Sequence, residues 1–553
     1  MIFKRLLLSA AAAALALASV NTPAVAAVVA EDEAYSGPRL VVTVVVDQLS
    51  SNLFNQYRRH FTGGLKRMMD EGLVYANGFQ THGVTETCPG HSTVLTGMHP
   101  THTGIGVNYS NDDQTGEGRY CMASKVNTLA HGAVTDNGNV GTELLLVDTL
   151  GDYVQAKYPG SRVMAVSGKD RGALNLAGHN GQAFWFTDGF GLTTYVKPGE
   201  TAQQRLSVVE QFNKRYPAAE NGQRWRGDIA RCQAMAEDID IVDGTFKSMV
   251  PPAVDKFPVS PLYDEETIAA ALYLLDSQKL GEGEGVDMLG VSLSGTDIIG
   301  HSFGTQGPEM CEQLVRLDAA LGTLLDRLDD VEGGVILALT ADHGGADVIE
   351  RTARRGFPFA HRLDTKPVDE ANAALRQQFG LDFDPLRRGS SGLRIVDTAG
   401  RALAEPLRTQ IAHAAVEMLH GKGDYAFVGF RDDLLKEPVP DSLHPQILTV
   451  RERMRLSVVD GVSADLLIAL QPGVATGGRL GSNLSSHGQP WDYDRGVPII
   501  FWAPDGVGQE RFMPARTIDI APTLANIIDV DLKKVDGRCM DLGLGEAPAC
   551  PIE

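Results

Sequence analysis

Positive charge is what this sequence lacks most. Lys and Arg number 49 against 70 Asp and Glu, a formal charge of −21. Polymeric nucleic acid is held by a basic footprint that releases counterions, so no nucleic acid polymer is expected as a partner. The deficit does not exclude a small anionic substrate, because a local metal site overrides the global field. Thiols are scarce too. There are six cysteines in 553 residues, Cys88, Cys121, Cys232, Cys311, Cys539 and Cys550, and no C-x-x-C pair. That argues against a thiolate zinc knuckle and excludes a cysteine-rich mini-scaffold. After position 26 the sequence also has no apolar run of about 18 residues, so no membrane span is expected beyond the leader. No internal repeat is visible. With 43% hydrophobic and 22% charged residues, the balance is that of a folded chain rather than a disordered one.

What is present begins with an address. Lys4 and Arg5 precede an apolar run from Leu6 to Val20, Asn21-Thr22-Pro23 interrupts it, and Ala24-Val25-Ala26 fits the small-x-small rule. The pattern predicts a signal peptide over 1–26, cut after Ala26. The run falls short of the ~20 residues that span a bilayer, which favours cleavage over a retained anchor. The mature chain is expected in the periplasm or secreted, where disulfides persist. The six cysteines permit many pairings, and Cys539 with Cys550 could close a short C-terminal loop.

The β-branched run Arg39–Val46 reads as a strand buried on both faces, as in a parallel sheet. Similar runs lie at Arg162–Val166, Val286–Leu293, Val335–Thr340, Asp465–Leu470 and Pro498–Trp502. Helical patterns alternate with them at Thr142–Tyr158, Glu265–Leu280, Met310–Asp329, Glu405–His420 and Ile518–Ile528. This alternation predicts an α/β fold, a central mostly parallel β-sheet flanked by helices. Functional groups in such sheets gather beyond the carboxyl ends of strands. Irregular polar stretches predict insertions near 108–140, 177–260 and 354–475 that cap a single catalytic domain over 27–553. A separately folding unit at 354–475 is the competing arrangement.

Three acids sit where strands end: Asp47, Asp297 and Asp342. Alone, each reads as a turn former or helix cap. Histidines accompany them. Asp297 and His301 form D-x-x-x-H, one face of a helix. Asp342 and His343 are adjacent and followed by two glycines. His487 lies in the loop Ser485-Ser486-His487-Gly488. Carboxylate and imidazole are the zinc ligands used when thiolates are absent, and six of them suffice for two ions. A pair of ions roughly 3.5–4 Å apart is the usual clamp for phosphoryl transfer. In Thr85-Glu86-Thr87-Cys88-Pro89-Gly90-His91, Thr87 stands at a helix start that favours anions. Its hydroxyl becomes a nucleophile only when its pKa is lowered, as a bound metal can do. The plain alternative is an N-cap threonine.

These motifs, in order VVVDQL, TETCPGHSTVLTGMHPTHTGIGVN, GKDRGALNLAGH, SGTDIIGHSFG, TADHGG, SSHG and RTIDIAPTLANII, make the chain resemble the alkaline phosphatase superfamily. The likeness is to its nucleotide pyrophosphatase/phosphodiesterase-like branch, and there to exported bacterial alkaline phosphatases with a threonine nucleophile. It extends over nearly the whole mature chain. The resemblance implies that Thr87 forms a phosphothreonine, on a zinc held by Asp47, Asp342 and His343. A second zinc would be held by Asp297, His301 and His487 at the leaving oxygen. Asn108, Lys169 and Arg171 would grip the phosphoryl oxygens.

That last trio suggests the substrate. A monoester is a dianion with three non-bridging oxygens, matched by two cations and an amide. A diester needs an apolar wall instead. Phosphate monoesters such as nucleotide and sugar phosphates are therefore expected, with a phosphodiesterase as the alternative. A sulfatase would need Cys or Ser in C/S-x-P-x-R, and the aligned positions are Thr87, Pro89 and His91. Asp112 and Asp113 offer a candidate calcium site, or simply a water-facing loop. A monomer is expected.

Overall fold

A computed structural model describes residue 35 and residues 37–131, 137–187, 191–215, 225–253, 256–543 and 550. The expected signal peptide, 1–26, lies outside the described residues.

Seven strands of the main sheet come first in the chain. They are β1 (Leu40–Val46), β2 (Leu73–Phe79), β3 (Val163–Ser167), β4 (Gln182–Thr187), β5 (Gly191–Thr193), β6 (Asp287–Leu293) and β7 (Val335–Thr340). Four more, β8 (Leu386–Gly389), β9 (Gly392–Ile395), β10 (Tyr425–Phe430) and β11 (Leu466–Leu470), form a separate sheet. The chain then returns with β12 (Gly496–Trp502), β13 (Gln509–Arg511) and β14 (Ala515–Arg516). The main sheet runs β13, β2, β12, β7, β1, β6, β3, β4, β5, with β14 also on β2. From β7 to β4 all neighbours are parallel. All seven residues of β1 and of β6 are buried, because both faces are covered. This is why they read as continuous apolar runs rather than alternating ones.

The helices that matter to the site are α1 (Thr87–Val94), α2 (Asp170–Ala177), α3 (Leu262–Ser277), α4 (Gly295–Phe303) and α5 (Pro308–Leu328). Pro308 starts α5 where its missing N–H costs nothing. Leu314, Leu317, Leu321, Leu324, Leu325 and Leu328 bury one stripe of it at helical spacing. Burying each side chain is worth about 1.5–3 kcal/mol. Further on, α6 (Lys366–Phe379) and α7 (Leu407–Leu419) pack on the second sheet, with Leu375, Leu393, Ile395, Ile411 and Leu466 in a core of their own.

Several expectations need correction. The run Asp465–Leu470, expected among the strands of the parallel sheet, instead supplies β11 (Leu466–Leu470) of the antiparallel second sheet. Pro498–Trp502 extends to β12 and runs antiparallel to β7. Thr142–Tyr158 is helical only over Leu150–Lys157. Thr149 and Asp152 make a reciprocal capping box that fixes the start there. The cysteines pair as Cys88–Cys121, Cys232–Cys311 and Cys539–Cys550. The acidic loop is not an open carboxylate pair. Asp113 is bound by Arg394, Arg408 and Arg431 of the 354–475 insertion, and Asp112 Oδ1 accepts the N–H groups of Gln114 and Thr115. No described helix is long and apolar enough to cross a membrane.

Candidate active site and metal centre

Register brings the three acids together. β1 pairs with both β6 and β7, placing Val46 beside Leu293 and Val45 beside Thr340. Asp47 and Asp342 follow their strands, and Asp297 occupies the first turn of α4. All three are at most 2% exposed, so their charges need partners close by.

Three imidazoles meet them. His301 lies one turn after Asp297 on α4, with Nε2 3.3 Å from Asp297 Oδ1. His487 Nε2 is 3.5 Å from the same oxygen and 3.2 Å from His301 Nε2. His343 Nε2 is 3.3 Å from Asp47 Oδ1 and 3.5 Å from Asp342 Oδ2. Each ring is held from behind. Nδ1 donates to a backbone carbonyl in all three: His343 to Gly344 at 2.8 Å, His301 to Ser485 at 2.9 Å, His487 to Thr85 at 2.6 Å. A hydrogen on Nδ1 leaves the Nε2 lone pair facing the carboxylates, the arrangement that orients metal ligands. Burial, with His343 and His301 adding to it, pushes the His487 pKa down to about 3. Burial also lowers that of His343. Both are therefore neutral, as ligation requires.

The ligand atoms form two groups that share Asp297: Asp297, His301 and His487, and Asp47, Asp297 and His343, each within 4.8 Å. The expected partition gave Asp342 to the second group. Asp342 borders it through His343, while its Oδ2 also lies 3.0 Å from His91 Nδ1. The donor set fits a divalent cation. Asp47 Oδ1 and His343 Nε2 are buried with no hydrogen bond among the described residues. Burial, then repulsion from Asp297 and Asp342, raises the Asp47 carboxyl to about 6. Burial also opposes ionisation of Asp297, but Lys169, His301 and His487 outweigh it and hold that carboxyl well below its usual range.

Thr87 is the first residue of α1 and 1% exposed. Gly90 lets this helix lie flat on the Asp342 backbone, where a Cβ would stand 2.2 Å from Asp342 O. Arg171, in the first turn of α2, donates to Thr87 Oγ1 at 3.4 Å. Burial weighs against its charge, and Tyr120, Asp47 and Asp170 more than offset it. Lys169 Nζ sits 2.6 Å from Asp47 Oδ2 and 2.5 Å from Asp297 Oδ2, neutralising the acids rather than projecting outward. Asn108 stands beside α1, its Oδ1 accepting the Cys88 N–H at 2.7 Å. Every residue expected in the site is thus in this neighbourhood. Four supporting residues were not foreseen. His91 Nε2 bonds Ser292 Oγ at 2.9 Å, Gln48 Nε2 donates to Asp297 Oδ1, Tyr120 donates to Asp170, and Glu86 accepts from Asn108. Beside His487 opens a groove of about 840 Å³ that reaches Glu86, Arg388, Tyr425 and Gln489.

Comparison with known proteins identifies the family. A family model described as type I phosphodiesterase / nucleotide pyrophosphatase matches residues 41–414. The chain belongs to that family, within the alkaline phosphatase superfamily. More particularly, it is 36% identical to alkaline phosphatase PhoD of Zymomonas mobilis subsp. mobilis, over 94% of this chain and 90% of that one. It is 34% identical to alkaline phosphatase PhoK of Sphingomonas sp, over 93% and 92%. The crystal structure of alkaline phosphatase PafA superposes with a TM-score of 0.76 at 23% identity, covering 90% of this chain and 96% of that one, so the fold is shared.

Proposed function

We propose that this protein is an exported, zinc-dependent alkaline phosphatase that hydrolyses phosphate monoesters of broad kind through a phosphothreonine. The observation that carries the reading is the placement of Arg171 and Lys169, from the start of one helix, against Thr87 and the buried acids. A guanidinium beside a hydroxyl at a helix N-terminus, with Lys169 offsetting the charge of the acids behind it, suits a dianion better than a singly charged diester. The names of the relatives support the same reading.

Asp47, Asp342 and His343 would hold one zinc, and Asp297, His301 and His487 the other. When bound, such ions supply charge stabilisation and a lowered hydroxyl or water pKa. The chain does the positioning. Arg171 orients the phosphoryl group over Thr87 Oγ1, Asn108 Nδ2 offers a neutral donor, and the Thr87 oxygen attacks in line. Bond formation to Thr87 and departure of the alcohol are followed by hydrolysis of the phosphothreonine. Two displacements give net retention at phosphorus. Phosphoryl transfer depends mostly on positioning and charge, so these residues govern the rate.

The test sets p-nitrophenyl phosphate beside bis-p-nitrophenyl phosphate. The monoester should be turned over far faster, and Lys169→Ala with Arg171→Ala should remove most of that advantage. A faster diesterase, or equal losses on both esters, would favour the phosphodiesterase that the family description names.

A further inference from the structure

Glu86 occupies the N-cap of α1, yet its side chain makes no capping hydrogen bond. Both oxygens are used elsewhere. Oε2 accepts the backbone N–H of Asn108 at 2.6 Å. Oε1 accepts the Ser391 hydroxyl at 2.7 Å and the Ser390 hydroxyl at 3.4 Å, both in the turn between β8 and β9. Asn108 is tied back to the same helix, because its Oδ1 accepts the Cys88 N–H. Its carbonyl accepts the Cys121 N–H at 2.9 Å, and Cys121 is bonded to Cys88. Asn108 therefore sits in a closed ring made by the residues on either side of Thr87. With Oδ1 engaged, Nδ2 is the end of the amide left to meet an anion.

A further carboxylate near a dianion site repels the substrate, so its presence there calls for a compensating role. We propose that Glu86 is a positioning residue, which fixes the Asn108 amide relative to Thr87 and anchors both to the 354–475 insertion. This rests on the phosphatase reading above. An error of about 1 Å at such a clamp costs on the order of 10²-fold in rate, so the single bond to the Asn108 backbone has leverage on turnover.

The test is a double-mutant cycle in the full-length, disulfide-bonded enzyme. It reads kcat/KM for p-nitrophenyl phosphate and, by calorimetry, the Kd of inorganic phosphate. Glu86→Ala should lower kcat/KM roughly 10- to 100-fold and weaken phosphate binding. Glu86→Gln keeps an acceptor for the Asn108 N–H and should stay within about threefold of wild type. In the Asn108→Ala background, Glu86→Ala should cost less than about twofold more. Additive losses, or a Glu86→Ala enzyme with wild-type kcat/KM, would overturn the assignment. Were Glu86→Ala not to fold, Glu86→Met, which fills the space without an acceptor, takes its place in the cycle. If wild type left the ester intact, the phosphatase reading would fall, and the phosphate Kd cycle alone would decide the role of Glu86.

Discussion

The Arg171 guanidinium donates to Thr87 Oγ1 at 3.4 Å, and a neighbouring cation favours the charged form of an oxygen acid. Replacing Thr87 with Ala removes one oxygen and leaves the six Asp and His side chains of the candidate metal centre untouched. Turnover of p-nitrophenyl phosphate should fall at least about a thousandfold. Zinc content measured by elemental analysis should not change, and ordinary turnover by the variant would place the nucleophile elsewhere. Thr87 and its ligands were legible because each carries a local signature. An acid ends an apolar run, a histidine follows at a helical interval, or a threonine precedes a helix. His91, Gln48, Tyr120 and Glu86 had none. Ser292 is 201 residues from His91 and Asp297 is 249 from Gln48, so their partners exist only once the sheet has formed. Lys169 shows the same limit. Its type was right for gripping a phosphate, but its place between Asp47 and Asp297 depends on burial that no spacing reveals.

At the scale of the element, α1 owes its position to a glycine. Any Cβ at position 90 would meet the Asp342 carbonyl at 2.2 Å. The oxygen belongs to backbone and a Cβ is fixed rigidly to its own, so the helix itself must move. Gly90→Ala should cost about 1–3 kcal/mol through overpacking. It should also lower kcat/KM, because Thr87 rides on the same helix. Gly118→Ala, where a Cβ meets nothing within 4 Å, is the control and should change neither quantity. Thermal unfolding and steady-state kinetics check both, and a Gly90→Ala enzyme as stable and active as wild type would show that α1 has slack. Elements with strong patterns were readable. β1, β6 and β7 lie close to where their β-branched runs predicted, as do α3, α5 and α7. β2 was missed because Asn77 is exposed and Gly78 sits where the register shifts against β12, which breaks the apolar run. The overlong helix at Thr142–Tyr158 failed on a cap, since Thr149 suits an N-cap and so ends the extended stretch before it. Periodicity also could not tell β11 from a parallel strand, because a strand covered on both faces looks alike in either sheet.

Across the whole molecule, buried ionisable groups that are not among the candidate ligands contribute to the pH dependence of stability. His99 is buried, with Nδ1 on Thr81 Oγ1 at 2.8 Å and Nε2 on Ser442 Oγ at 3.1 Å, and burial lowers its pKa to about 4. Because its folded value lies below the unfolded one, its contribution is complete above about pH 6.5 and is lost as pH falls toward 4. Glu309 is the mirror case. Burial raises its carboxyl to about 7, although the Ser248 hydroxyl and Met249 N–H donate to it at 2.8 Å. Its contribution is complete below about pH 4.5 and is lost as pH rises through 7. Each amounts to about 3 kcal/mol at roughly 1.4 kcal/mol per pKa unit. Chemical unfolding of wild type, His99→Gln and Glu309→Gln from pH 4 to 9 separates them. Relative to His99→Gln, wild type should gain stability between pH 4 and 6.5. Relative to Glu309→Gln, it should lose stability between pH 4.5 and 7. Both difference curves should be flat above pH 8, where His99 and Glu309 have each completed their titration. Two curves of the same slope, or titration continuing past pH 8, would show that other buried groups govern the balance.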